Sequence, residues 1–298
     1  MRKVAALVLL ALVAGCGGSD GSEPATVRDG RFDAQRAFRD LRAQVRIGPR
    51  PAGTASSRQE VRLIVRRLHE AGVRQVRVQH PHRNVVGSIP GEEPGTVVVG
   101  AHHDTKDIPG FVGANDGASA VAVLLELARA LPRRLEGPSI ELVFFDAEEA
   151  RGERPFELDG ARGSSQFVRY AQGGGLQGSA PLGEIRAMVL LDLVGDCTLE
   201  IPHEANSDPD LYRLFFDAAQ EQLAGPSPFV GEAPPILDDH LPFAQAGIPS
   251  VGLIDFGYGP GPPPGDFWHT RRDNLRHVCA RSLEAVGETV LAVLPRIR

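Results

Sequence analysis

The residue types with chemistry in this chain are a handful of acids and imidazoles: His102-x-Asp104, Asp116, Glu148-Glu149, Asp192 and His269. Carboxylates and imidazoles offer the oxygen and nitrogen donors that zinc takes, with a position left for water or substrate. Singly, each is ordinary: His-x-Asp is a common surface pair, Glu-Glu a solvated turn, and Asp116 before a helical stretch an N-cap. Asp192 is different, because it stands inside an apolar run, residues 188–193 (MVLLDL). An acid there must be paired or ligated to be tolerated. Adjacent glutamates at a strand exit point in different directions, so one of Glu148 and Glu149 can bind metal while its neighbour faces substrate. Burial beside another carboxylate raises such a glutamate toward the pKa range useful for proton transfer.

The segments that carry these residues follow central strands. Residues 96–100 (TVVVG), 140–145 (IELVFF), 188–193 and 250–254 (SVGLI) are continuous apolar runs, the pattern of strands covered on both faces. Helical spacing covers residues 57–71, 117–131, 164–171, 210–223 and 280–293, and residues 73–79 and 84–89 read as paired edge strands. Alternation of this kind predicts one α/β domain, a three-layer sandwich around a mixed, largely parallel sheet. In such sheets ligands bind outside the carboxyl ends of the strands, where all the acids and imidazoles above would meet. The Pro/Gly-rich residues 257–265 precede Trp268-His269 and read as a functional loop.

Composition narrows the class. A hydrophobic share of 42% with 23% charged residues is that of a globular domain, and 32 Lys+Arg against 38 Asp+Glu leave no basic excess for nucleic acid. The N-terminus reads separately: Arg2-Lys3, ten apolar residues 4–13, then Ala14-Gly15-Cys16. The run is shorter than the roughly 20 residues of a membrane span and has the form of a secretory signal. Its end resembles the bacterial lipobox, which predicts a leader over 1–15, an acylated Cys16 beginning a flexible tether over 16–32, and an enzyme domain over 33–298. Gly17 after the cysteine favours the outer membrane, so the expected location is the bacterial cell envelope, lipid-anchored and facing the periplasm or the surface. Of the three cysteines, Cys197 and Cys279 either pair or stay as buried thiols.

The combination of His102-x-Asp104, Gly113-Ala114-Asn115-Asp116, Glu148-Glu149, Asp192 and His269-Thr270 resembles the zinc aminopeptidases of peptidase family M28. Further stretches are similar to that family's relatives, the animal-type glutaminyl-peptide cyclotransferases. These are His102-His103-Asp104-Thr105-Lys106, Phe144-Phe145-Asp146-Ala147-Glu148-Glu149-Ala150, Asp238-Asp239-His240 and Trp268-His269-Thr270. The resemblance runs from about residue 48 to the C-terminus. It implies that Asp116, Glu149 and His269 hold a catalytic zinc, and that His102 and Asp192 complete a second metal position in the aminopeptidases. Asp104 would orient His102, Glu148 would be the general acid/base, Asp239 would join Glu148 and Asp192 in an acid network, and Trp268 would line the substrate pocket.

Two reactions on peptide N-termini fit: cyclisation of N-terminal Gln with release of ammonia, using one zinc, or hydrolysis of the first peptide bond, using up to two. The long stretch 150–162 after Glu149, the Asp238-Asp239-His240 segment and Trp268 favour the cyclase. A peptide-binding lipoprotein without catalysis is disfavoured by the presence of Glu148. One departure stands in that stretch, Ala150-Arg151-Gly152-Glu153-Arg154, where the animal cyclases place a pocket tryptophan; Arg151 and Arg154 read as solvated, with pocket entry of Arg154 as the alternative. His203 and Glu204 read as turn residues, Glu232 to Pro235 as loop, and His80, His82 and His277 as surface histidines. A monomer is expected.

Overall fold

The computed structural model describes Thr26–Val27 and residues 31–297. The expected leader, Cys16 and most of the tether lie outside the described residues. In chain order the first elements are β1 (Thr26–Val27), α1 (Ala34–Val45), α2 (Ala55–Glu70), β2 (Gln75–Val78), β3 (Val85–Ile89) and β4 (Thr96–His102). Then come α3 (Ala118–Ala130), β5 (Ser139–Phe145), α4 (Phe156–Asp159), α5 (Arg162–Gln172), β6 (Ile185–Asp192) and β7 (Ile201–Glu204). The chain continues through α6 (Pro209–Gln222), β8 (Leu223–Ala224), β9 (Phe229–Ala233), α7 (Leu241–Gln245), β10 (Ser250–Ile254) and α8 (Ala280–Val293).

A six-stranded sheet in the order β10-β6-β4-β5-β3-β2 forms the middle layer. Its first four strands are parallel, and β3 and β2 add antiparallel. The expectation of a mixed, largely parallel sheet holds; of the two presumed edge strands only β2 is one, since β3 also pairs with β5. Side-chain alternation divides the core. Val97, Val99 and Ala101 of β4 face α1, α3 and α8, whereas Val98 joins Phe145, Phe167 of α5 and Phe243 of α7 on the other side. Fully burying side chains of this size is worth about 1.5–3 kcal/mol each, which fixes the strand ends where the polar residues emerge.

Local signals set the helix starts. Thr54 accepts from the Ser57 N–H and begins α2 ahead of its apolar stripe, and Asp208 does the same for α6 through Leu211, with Pro209 in the first turn. Phe32, placed in the tether by sequence, is buried, and its N–H donates to Glu288 of α8. Two small pairings escape the sequence reading, β1 with β8 and β7 with β9. Among the described residues no helix is long and apolar enough to cross a membrane.

Candidate active site

β4 ends on His102, β5 leads directly into Asp146 to Glu149, β6 ends on Asp192, and the loop after β10 delivers His269. Because these strands are parallel and adjacent, their carboxyl ends share one rim. Asp116 reaches it from the turn before α3. There Gly117 has φ +89°, and a Cβ on it would sit 3.1 Å from the Asp104 carbonyl and 3.2 Å from the His102 ring; only glycine lets this turn close on the strand end. Three other residues with positive φ adjoin the acids: Ala147 at 60°, Leu193 at 51° and His269 itself at 51°. Left-handed backbone at non-glycine positions costs of the order of 1–3 kcal/mol each, a cost borne at the three places where a donor must be aimed.

The donors meet in two overlapping sets, Asp116 with Glu149 and His269, and His102 with Asp116 and Asp192, each with its ligand atoms within 4.8 Å of one another. His269 Nε2 lies 3.2 Å from Glu149 Oε1 and 3.5 Å from Asp116 Oδ2. His102 Nε2 lies 3.2 Å from Asp192 Oδ1 and 3.3 Å from Asp116 Oδ1. Asp116 Oδ2 is buried without a hydrogen-bond partner. A buried orphan oxygen aimed at an imidazole and a second carboxylate calls for a cation, and the mixed oxygen and nitrogen donors fit zinc.

Asp104 braces the rim in a way sequence did not foresee. Its carboxylate accepts from the backbone N–H groups of Glu148 (3.1 Å) and Glu149 (3.3 Å). His102 Nδ1 is nearest not to that carboxylate but to the Asp104 carbonyl, at 3.1 Å against 3.8 Å. Lys106 supports Glu149 through its backbone N–H, 3.1 Å from Oε1, and its ammonium, 3.7 Å from Oε2.

The electrostatics follow from crowding acids in a buried place. Burial pushes Glu148 well above the ordinary carboxylate range, and Glu149, Asp238 and Asp239 push it further. Asp238 is raised in the same sense by burial and by Asp192. Burial also raises Glu149, with Asp116 adding to it. For Asp116 burial is outweighed by His102 and His269, which hold it low, while both imidazoles are raised by their carboxylate partners against the opposing effect of burial. The site therefore combines a carboxyl that keeps its proton readily, Glu148, with neighbours arranged for a cation.

A cavity of about 590 Å³ opens over this floor. Ile236, Leu237, Phe256 and Trp268 supply apolar wall, and Gly152, Glu153, Arg154 and Phe156 supply another side. Trp268 stacks on His269, centroids 3.7 Å apart and planes at 16°, and meets Phe256 edge-on at 5.4 Å. Arg154 does line the cavity; with Arg151 it is also drawn to Asp159, at 3.3 Å and 2.5 Å.

Of the two adjacent aspartates, the structure turns Asp238 to the cavity. Asp239, the one selected from sequence, is fully buried behind it, accepts from the Ser164 hydroxyl at 2.5 Å, and is raised by burial to about 7. Glu204 is no turn residue: it ends β7, buried, and its carboxylate accepts from Ser207 Oγ and the N–H groups of Asn206 and Ile236, with His240 Nε2 at 3.2 Å. It thereby pins the segment that presents Asp238. Cys197 and Cys279 are joined in a disulfide. His80 is exposed as expected, whereas His82 and His277 are half-buried, the latter against Phe267.

Residues 84–294 match the sequence profile of peptidase family M28. The bovine glutaminyl-peptide cyclotransferase is 29% identical over 80% of this chain and 75% of its own length. The enzyme of that name from Boiga irregularis is 30% identical over 69% of this chain, and the chain spans 62% of it. Among solved structures, the Acidobacteriales bacterium glutaminyl cyclase superposes with a TM-score of 0.79 at 31% identity, covering 95% of this chain and 99% of that one. With the profile matched from β3 to the end of α8 and every rim residue inside it, the chain belongs to peptidase family M28.

Proposed function

We infer that this chain is a zinc-dependent glutaminyl-peptide cyclotransferase, acting on peptides and proteins that begin with Gln. The observation that carries the reading is the placing of Glu148, a buried carboxyl, beside the donor set Asp116, Glu149 and His269 on the floor of a cavity that Trp268 lines. A zinc ion on those three residues supplies, when bound, polarisation of the substrate's side-chain amide carbonyl. Glu148 takes a proton from the substrate α-amine as that nitrogen bonds to the amide carbon. The same carboxyl then gives the proton to the departing nitrogen, so that the old C–N bond breaks and ammonia leaves as the lactam closes. Glu149, Asp238 and Asp239 near Glu148 raise its affinity for the proton it takes up. Apolar walls hold the N-terminal residue folded on itself and keep water out, so that orientation provides much of the acceleration.

Hydrolysis of the first peptide bond is the second reading. The second donor set, His102, Asp116 and Asp192, favours it, because it offers room for two ions instead of one; Glu148 would then take its proton from water. Two peptides that differ only in beginning with Gln or Leu decide between them by mass spectrometry with the zinc-loaded full chain. Loss of ammonia from the Gln peptide alone supports the cyclase, release of free Leu supports the peptidase, and no change in either peptide would count against both.

The lipobox-like N-terminus supports export and anchoring through acylated Cys16 in the outer membrane of a bacterial envelope. Cys16→Ser should leave the chain in the soluble fraction; unchanged membrane association would refute the anchor.

A further inference from the structure

Asp273 touches neither the cavity nor a candidate ligand side chain, yet it joins the segments that carry them. It is fully buried. Oδ1 accepts from the Asn115 N–H at 2.7 Å and from the Tyr258 hydroxyl at 2.9 Å, and Oδ2 accepts from the Asp116 N–H at 3.0 Å. Asn115 extends the linkage, its Oδ1 accepting from the Gly195 N–H at 2.7 Å. One carboxylate thus ties the turn bearing Asp116 to its own segment, which bears His269, and through Asn115 to the exit of β6, which bears Asp192. Tyr258 brings in the loop that leads to Trp268.

The turn needs such a partner. Gly113 and Gly117 flank it with φ of +52° and +89°, and α3 begins without a side-chain cap. The local ties, from the Ser119 hydroxyl to the Asn115 carbonyl at 2.6 Å and from the Ala118 N–H to the Gly113 carbonyl at 3.3 Å, leave the Asp116 N–H to Asp273. Donors held in place before the ion arrives lose less freedom on binding than donors that must be ordered by it. We propose that Asp273 is the positioning residue that sets how tightly this chain holds its metal, acting through the Asp116 turn and the His269 segment. The inference rests on the zinc reading above.

The test needs no turnover. Trp268 is the sole tryptophan and lies on His269, so its emission reports zinc at that imidazole. Zinc titration of the full chain against a competing chelator, followed by this emission, should give a Kd about 10- to 100-fold weaker for Asp273→Asn. Tyr258→Phe, which leaves both backbone bonds, should weaken it about two- to tenfold. Melting of the zinc-free proteins separates positioning from general stability. If Asp273→Asn lowers the zinc-free Tm while its Kd stays within about twofold of the parent, the proposal is overturned. Should Asp273→Asn fail to fold, an unchanged Kd in Tyr258→Phe overturns it. A parent chain without any zinc response would defeat the zinc reading and this inference together, whereas a parent that binds as tightly as both variants defeats this inference alone.

Discussion

The floor of the cavity and the wall formed by residues 150–162 are held by different means. On the floor, Glu148, Glu149, Asp192 and His102 continue directly from strands buried on both faces, and Asp104 and Asp273 grip the backbone amides beside the ligands. In the wall, residues 151–155 and 157–158 are exposed, and Leu158 is 82% exposed, so almost no apolar burial holds it. One buried carboxylate, Asp159, gathers it: Asp159 accepts from the Arg151 N–H at 2.8 Å and draws the guanidinium groups of Arg151, Arg154 and Arg162. Arg162 in turn donates to the Glu149 carbonyl at 3.0 Å. The floor takes its geometry from the strand ends and from the two buried carboxylates that tie the adjoining turns to them. The exposed part of the wall depends on this ionic knot, and only its end is tied to the floor by backbone, through the Ala161 and Arg162 N–H groups on the Glu148 and Ala147 carbonyls.

Breaking the floor should have the largest effect. His269→Ala removes one of three donors together with the ring under Trp268. Zinc-dependent stabilisation should vanish in melting experiments, and activity should fall at least about a thousandfold, since several kcal/mol of charge stabilisation go with the ion. Glu148→Gln keeps the shape and removes the carboxyl proposed to carry the proton; kcat should drop about 10²- to 10⁴-fold with zinc affinity unchanged. Retained turnover would take Glu148 out of the mechanism.

Changes in the wall should be milder and of another kind. Asp159→Asn releases the arginines, and an ordering loss of about 1 kcal/mol raises KM about fivefold with kcat little altered. A fall in kcat without a change in KM would mean that the wall belongs to the floor after all. Arg154→Ala should do least: a shift of about threefold or less in the ranking of peptides that differ in their second residue. Unchanged ranking would show that the guanidinium serves only Asp159.

The same division governs what the sequence discloses. Uninterrupted apolar runs place β4, β5, β6 and β10, and an acid within such a run, Asp192, must be accounted for; the floor is legible because burial and polarity conflict there. Asp238 and Asp239 are not separable in this way. They sit just before the short helix α7, where one residue of register decides which faces the cavity and no periodicity fixes the register. β7 and β9 are short, and their polar content resembles that of loops. The tie between Tyr258, Asp273 and Asn115 joins residues 15 and 158 positions apart, for which no spacing rule exists. Nor does a sequence carry the 4.9 Å Cα separation that brings Cys197 to Cys279.

That disulfide has a consequence for the integrity of the enzyme. The two cysteines stand 82 positions apart, and the covalent ring they close contains Asp238, the long loop with Tyr258, Trp268, His269 and Asp273. A protease that severs one peptide bond anywhere within this ring cannot part the fragments. The nicked chain would run as a single species on a gel without reductant and as two with it. After such a cut the pieces of the active site would stay tethered, with every rim residue still on one molecule.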